Sequence, residues 1–411
     1  MDRELRELYN RHFSTERYAS FQRRFEQRLG MPPAFRLAES PVFWDAATRT
    51  RFGEAARGIM AELEQPALLE KMRAAVPERF FVRGEQGLPT FALVDFAVAR
   101  DASGAIVPRL IELQGFPSLF ALKSLHAELW QEELATIEGF PSHADPYFGG
   151  LDHASYRARL RQALVGEHDP SEVVLVDVQP EQQKTKVDFV ATELLFGVRA
   201  VCLTELRLIG KTLHAPLRGK LAPVKRIYNR LVFDELASKG IHAPFAWDAE
   251  IDVEWAPHPN WYWKWSKYTV PHLRHPSVPK TTLLSELSVV PPLERYVLKP
   301  LFSFSGVGVN VDPTPQDLAS IPAAERSLWC LQEKVDYAPA MQAADGGGVK
   351  IEVRMMFIQN PATKRLELCM NLCRLSRGKM LGVDFNKDFS WVGSSVALCP
   401  VPEPKSSSTP R

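Results

Sequence analysis

Long apolar runs are missing from this 411-residue chain. A bilayer-spanning helix needs about 20 consecutive apolar residues, and none is present, so a membrane-embedded protein is not expected. The opening residues Met1-Asp2-Arg3-Glu4 read as the start of a charged helix rather than a signal peptide. Cysteine is scarce. Cys202, Cys330, Cys369, Cys373 and Cys399 are odd in number, and no two form a C-x-x-C pair. That argues against a disulfide framework or a zinc site, and points to a reducing, cytoplasmic setting. Charge of one sign is missing too. The formal net charge is +1, so no global field draws nucleic acid or an anionic membrane. Any anion must be held by a local site.

Familiar catalytic signatures are also lacking. There is no G-x-x-x-x-G-K-[ST] loop, no G-x-G-x-x-G opening a helix and no G-x-S-x-G elbow. The ten histidines never fall into H-x-x-x-H spacing. What is present is ordinary globular composition, 45% hydrophobic and 24% charged, at a length that suits two or three subdomains.

The apolar period changes along the chain. Residues 1 to about 75 read as helical, with Leu5, Leu8, Tyr9 and Phe13 on one face. Phe91 to Ala99 and Ala105 to Leu113 read as two strands of a hairpin, and a helix is expected from about Ser118. Val173 to Val176, Glu181 to Phe196 and Val198 to Leu203 read as a strand–helix–strand unit with a parallel pair. A helix is expected over Arg226 to Lys239, ended by Gly240. Strands are expected at Tyr296 to Lys299, Trp329 to Val335, Lys350 to Phe357 and Leu366 to Arg374. Pro400 to Arg411 reads as a disordered tail.

Four constellations carry chemistry. Lys299 ends a strand, followed by the glycine-containing loop Ser303 to Val309. A lysine there reaches a phosphate, and backbone N–H groups of such a loop approach phosphate oxygens closely. A plain hairpin with a solvated lysine is the competing reading. Gln332-Glu333-Lys334-Val335 offers backbone groups and a carboxylate to an adenine and ribose, or is an edge strand of alternating charge. Asp95 on one strand faces Glu112 and Gln114 on the next. The last two are two residues apart and share a face. Such oxygen donors suit magnesium. Acids inside apolar strands are costly unless paired or metal-bound. Arg354 and Arg374 lie on successive strands. They either clamp a carboxylate or acyl phosphate, or pair across strands with Glu352 or Glu367. Asn371, Gly378-Lys379 and Asp384 to Asp388 complete this last group. The aromatic and basic run Trp261 to Tyr268 reads as a strand or a cleft-covering loop, in preference to a stacking platform for single-stranded nucleic acid.

Together these segments resemble the ATP-grasp superfamily. A strand ending in Lys299-Pro300, a small loop over Ser303 to Val309, and a linker strand Gln332 to Val335 come in the family's order. The acid strand and the Glu-x-Asn element that close most members are absent from the C-terminal part. Val94-Asp95-Phe96 and Ile111-Glu112-Leu113-Gln114 look like that portion moved toward the N-terminus. That order is similar to the circularly permuted branch, which includes the glutathionylspermidine synthetase-like proteins.

The resemblance implies an α+β or α/β ATP-grasp fold in permuted order with an added N-terminal helical region. Residues 1–80 would be that helical region, 81–150 the permuted metal-binding part, 151–222 a small α/β domain, 223–398 the nucleotide-binding part and 399–411 the tail. It implies that Lys299, with Lys225 or Arg226, contacts the phosphates of ATP, and that Ser305, Gly306 and Gly308 form the lid. Gln332, Glu333, Lys334 and Val335 would hold adenine and ribose, and Asp95, Glu112 and Gln114 would bind Mg²⁺. Arg354 and Arg374 would hold the acyl phosphate or substrate carboxylate. The implied activity joins a small-molecule carboxylate to an amine or thiol through an acyl phosphate. The alternative is nucleotide binding without ligation, because Gln114 stands where the family has Asn. The resemblance also favours a homodimer, while the near-neutral charge and the missing apolar runs argue for no nucleic acid and no membrane as partner.

Overall fold

The computed structural model describes residues 1–302, 308–378, 386 and 388–400. The N-terminal region is helical, in Arg3–His12, Thr15–Leu29, Ala46–Leu63 and Pro66–Met72. Asp2, Ser14 and Asp45 each accept a backbone N–H from the first turn of the helix they precede. Gly30 ends the second helix in the left-handed conformation. A short strand, Val42–Phe43, interrupts these helices and pairs in parallel with Ala397–Pro400. Among the described residues no helix is long and apolar enough to cross a membrane.

A six-stranded sheet forms the centre of the molecule. Its order is Gly393–Ser395, Leu366–Ser376, Gly348–Gln359, Phe91–Arg100, Ile106–Gln114, with Met341–Gln342 on the side. Strands from the first and last thirds of the chain thus share one sheet. The 348–359 strand is antiparallel to both the 91–100 and the 366–376 strands. Val94, Phe96 and Val98 alternate with Asp95 and Ala97 along a strand buried on both faces. The apolar set joins the main core with the helices Ala46–Leu63, Phe120–Leu134 and His153–Val165. A bulge lies opposite Asp95 and Phe96, where Glu112 and Leu110 are the partners and Ile111 is the extra residue.

A second sheet is wholly parallel, in the order Glu254–Ala256, Arg226–Asn229, Val173–Asp177, Arg199–Cys202. The strand–helix–strand unit is found as expected, although its helix Lys186–Phe196 starts later, after a 3₁₀ turn at Pro180–Gln182. The helix expected over Arg226 to Lys239 is a correction. Arg226–Asn229 is a strand, and helix occupies only Phe233–Lys239. Buried Ile227 and Tyr228 gain a ladder with Val174 and Leu175, and that tertiary pairing overrides a weak helical period.

A third, three-stranded antiparallel sheet contains Thr281–Leu283, Trp329–Glu333 and Tyr296–Pro300. The aromatic run is neither strand nor loop at its start. Trp261–Lys264 is one helical turn, with all four residues buried. Gly115 lies against it and donates to the Trp265 carbonyl at 2.7 Å. A Cβ at Gly115 would come within 2.2 Å of the Trp261 carbonyl oxygen, so only glycine fits this crossing.

The helix Phe120–Leu134 holds the sheet's edge through a fully buried lysine. Lys123 Nζ lies 2.8 Å from Ser394 Oγ, 3.1 Å from the Ser395 carbonyl and 2.8 Å from His126 Nδ1. His126 Nε2 takes the indole N–H of Trp130 at 2.9 Å. Indole nitrogen only donates, so the single proton of neutral His126 sits on Nδ1, and Lys123 Nζ accepts it. The geometry therefore fits an unprotonated amine. Burial lowers the Lys123 pKa to about 7, against about 10.4 in an unfolded chain. Between those values the unfolded chain binds the extra proton, so stability rises with pH. From pH 7 to 9, denaturant unfolding of the wild type should gain about 1.4 kcal/mol per pH unit relative to Lys123→Met. Equal slopes would mean that Lys123 keeps its proton in the fold.

Candidate functional site

Register alone builds a row of charge across the central sheet. Glu112 pairs with Asp95, and Asp95 with Arg354. Directly paired residues share a face, so the three side chains stand side by side. Two residues along, Glu352 pairs with Arg374 on that same face. Arg354 grips Asp95 with two bonds, Nε to Oδ1 at 2.7 Å and Nη2 to Oδ2 at 2.6 Å. Arg374 adds a third, to Oδ2 at 2.9 Å, and also bridges Glu352. Asp95 is 0% exposed. Tyr337 donates its hydroxyl to Glu352 at 3.1 Å.

The small third sheet faces this row. Lys299 and Gln332 lie diagonally on adjacent strands, and the Lys299 ammonium donates to Gln332 Oε1. It also reaches the carbonyl of bulged Ile111 at 3.5 Å. Gln332 donates onward to Thr281 Oγ1 at 3.2 Å. Lys267 closes the arrangement from the segment after the aromatic turn, 3.2 Å from Glu112. Glu112, Gln114, Phe116, Tyr262, Lys267 and Phe302 line a small cavity of about 20 Å³ here. A larger cleft of about 1630 Å³ opens on the other side of the Trp261–Lys264 turn, between Arg83, Glu85 and Trp247. It shares no residue with the charged cluster. The chemistry is read at the cluster, because that is where buried ionisable groups converge.

The cluster holds four cations, Lys267, Lys299, Arg354 and Arg374, against three carboxylates, Asp95, Glu112 and Glu352. Burial works against ionised Glu112, but Lys267, Arg354 and Arg374 hold its carboxyl below the usual range. Burial pushes Glu352 up instead, with Asp95 adding to the shift. Burial lowers the Lys299 ammonium, and Lys267 lowers it further. A cluster with a cationic excess is suited to a polyanion.

The expected residues are only partly brought together. Asp95, Glu112, Gln114, Lys299, Gln332, Arg354 and Arg374 meet in one place. Arg354 and Arg374 are ion-paired across strands, with Asp95 and Glu352, whereas Glu367 pairs with Arg159. Lys225 and Arg226 are engaged elsewhere, Lys225 with Glu172 at 2.7 Å and Arg226 with Glu254 and the carbonyls of Ala163 and Leu164. The linker strand expected to reach Val335 ends at Glu333, and Lys334 beyond it pairs with Asp312 at 3.1 Å. Val335 follows them, half-buried. Gly308 has φ of +73° and packs against Pro300. Ser305, Gly306, Lys379 and Asp384 lie outside the described residues. Asn371 serves the fold, bonding Pro146 and Ala397.

Two groups escaped the sequence reading. Lys267 lay inside the aromatic run, where a lysine buried among tryptophans is costly without a partner. Asp177 ends one parallel strand and Arg230 directly follows the carboxyl end of its neighbour. The chain leaves the 173–177 strand toward one side and returns on the other. Such a switch point is where open parallel sheets bind ligands. Arg230 is 4% exposed, and its Nε and Nη1 have no hydrogen-bond partner among the described residues. Burial raises Asp177 to about 7, against the pull of Arg230.

Gln114 is 3% exposed and its Oε1 has no hydrogen-bond partner among the described residues. Its Nε2 lies 3.1 Å from Glu112 Oε2. A carboxylate beside an unsatisfied amide oxygen fits a hard divalent ion completed by water and phosphate. Among the described residues no group of three His, Cys, Asp or Glu side chains could hold a metal by itself.

No protein-family model matches the chain, and no curated protein matches it. Among solved structures it is similar to a glutathione synthetase-like effector from Globodera pallida in its apo form. The TM-score is 0.58 at 13% sequence identity, over 94% of this chain and 96% of that one. The fold is accordingly glutathione synthetase-like, of mixed α and β structure.

The cluster makes a sharp stability prediction. Arg354→Met leaves the Asp95 charge buried with one cation fewer. It should cost about 3–5 kcal/mol in urea unfolding, whereas Lys225→Met, at an exposed pair, should cost under about 1 kcal/mol. Similar losses in both would mean that the Asp95 pair is no anchor.

Proposed function

We propose that this chain is an ATP-dependent ligase of ATP-grasp type, joining a small-molecule carboxylate to an amine through an acyl phosphate. One observation carries the reading: Lys299 and Lys267 from one side and the Glu112–Asp95–Arg354 row from the other converge between two sheets. The permuted order of segments is part of the proposal. It is supported by the sheet that joins strands 91–114 to strands 348–376.

In this reading Lys299 and Lys267 bind the phosphates as point charges. The base and ribose lie along the segment from Gln332 to Val335, the end of the Trp329–Glu333 strand and the residues after it. Glu112 and Gln114 would hold magnesium, which would supply further neutralisation of the triphosphate. Arg374, whose side chain is 42% exposed against 6% for Arg354, presents its guanidinium to the acyl group. The substrate carboxylate oxygen attacks the terminal phosphorus, and the bond to the ADP oxygen breaks. The amine nitrogen then attacks the acyl carbon, phosphate leaves, and the nitrogen loses a proton to solvent. No protein nucleophile takes part, and catalysis consists of positioning and charge stabilisation. Arg230, buried with unpaired donors at the carboxyl ends of the parallel sheet, holds a carboxylate of one substrate.

A nucleotide that binds only the folded chain must raise its stability by mass action. Saturating Mg-ATP should raise the melting temperature of the wild type by several degrees, about 2 kcal/mol or more in stability at 100 times Kd. Lys299→Ala and Lys267→Ala should each remove most of that shift. ADP release stimulated by a carboxylate and amine pool would support ligation. Binding without such release would favour a nucleotide-binding protein. No shift at all would overturn the proposal.

A further inference from the structure

The chain crosses once from the small third sheet back to the central one, and the crossing carries a tyrosine that the ligase reading leaves unused. The Trp329–Glu333 strand ends on the small sheet. Five residues later the Ala338 N–H donates to the Val98 carbonyl at 2.9 Å, on the central sheet. Tyr337 stands just before that tie, two residues beyond Val335. Val98 follows Ala97, and Ala97 pairs in register with Glu352. The backbone tie thus brings Tyr337 beside Glu352. Its ring is half-buried, and its hydroxyl donates to Glu352 Oε2 at 3.1 Å.

Glu352 is 5% exposed, and its other side-chain partner is Arg374. Burial and the nearby Asp95 both work against its charge, so each donor on it matters. Burial and Glu352 also hold the Tyr337 hydroxyl well above its ordinary range, which keeps it a donor. The two arginines of the row differ in what fixes them. Arg354 grips Asp95 with two bonds and is buried, whereas Arg374 gives Asp95 one bond at 2.9 Å and has a side chain 42% exposed. The aim of Arg374 therefore depends on Glu352 as well as Asp95.

We propose that Tyr337 is a positioning residue, which acts through Glu352 to aim the Arg374 guanidinium into the space between the two sheets. The proposal rests on the ligase reading only for what Arg374 meets there, the acyl group.

The test uses the full chain, Mg-ADP, and acetylphosphonate as a stable analogue of an acyl phosphate, with affinities from calorimetry. Tyr337→Phe removes one hydroxyl. It should weaken acetylphosphonate about tenfold in the presence of Mg-ADP, and leave Mg-ADP itself within about twofold. Arg374→Lys should weaken acetylphosphonate as well, and the double variant should lose no more than Arg374→Lys alone, because the tyrosine acts through that arginine. In parallel, nitrogen-15 NMR of arginine-labelled chain reads rotation of the Arg374 guanidinium about its Cζ–Nε bond, the signal being assigned by its loss in Arg374→Lys. Without any ligand, Tyr337→Phe should speed that rotation about tenfold. Unchanged acetylphosphonate affinity, an equal loss of Mg-ADP, or losses that add in the double variant would overturn the proposal. Failure of either ligand to bind the wild type would sink the ligase reading instead. The rotation rate then decides, and an unchanged rate means that Tyr337 does not position Arg374.

Discussion

The Asp95 carboxylate, held between Arg354 and Arg374, is the constraint on which the site depends. Removing three charged groups from water costs several kcal/mol per ion, and their attraction offsets this only when geometry and hydrogen bonding are nearly complete. Here three bonds satisfy one carboxylate, and Glu352 takes up part of Arg374. Such a network is weak evidence for stability. Its value is orientation, because two strands from distant parts of the chain must meet in one register for the bonds to form. A slip of one residue would turn Arg354 to the opposite face, among Val353 and Met355, and leave Asp95 alone in the core.

That register carries outward to the rest of the cleft. The bulge beside Asp95 inserts Ile111, whose carbonyl meets Lys299 from the small sheet. Gln114 ends the strand, and Gly115 lets the chain pass the Trp261–Lys264 turn at a distance no side chain tolerates. The same turn leads to Lys267, which meets Glu112. Three separate parts of the sequence are thereby tied to one hairpin. The buried Lys123 fastens the opposite edge, through Ser394 and Ser395 on the strand that pairs with Arg374.

Much of this was legible in the sequence, and the unreadable parts have physical reasons. Acids inside Phe91 to Ala99 and Ala105 to Leu113 stood out because apolar strands do not carry unpaired charge. Lys299 and Gln332 stood out as polar ends of short strands. The contact of Asp95 with Arg354 spans 259 residues, a separation at which spacing carries no information. The sequence left open whether the arginines clamp a ligand or pair across strands. Pairing is what register produces, and it makes Asp95 an anchor. Arg226 to Asn229 failed as a helix because Ile227 and Tyr228 answer to the neighbouring strand rather than to their own period. Lys267 was hidden by its surroundings, since an aromatic run reads as core and a lysine within it as rim. Arg230 gave no local signal, because an unpaired guanidinium is visible only once burial is known.

The cations of the cluster already have partners of their own, and this shapes what it can bind. Lys267 is engaged by Glu112, and Lys299 by Gln332 and the Ile111 carbonyl. An incoming anion must exchange with these contacts, so its net gain is the difference between two sets of charge-assisted bonds. A monoanion that displaces one carboxylate contact gains little. A polyphosphate would meet Lys267 and Lys299 together, and each added charge would meet a site already ordered. Preorganisation of this kind lowers the cost of binding while selecting for charge and length in the ligand. The excess of one positive charge, confined between two sheets of a chain that is nearly neutral overall, thereby favours a polyphosphate over a single carboxylate.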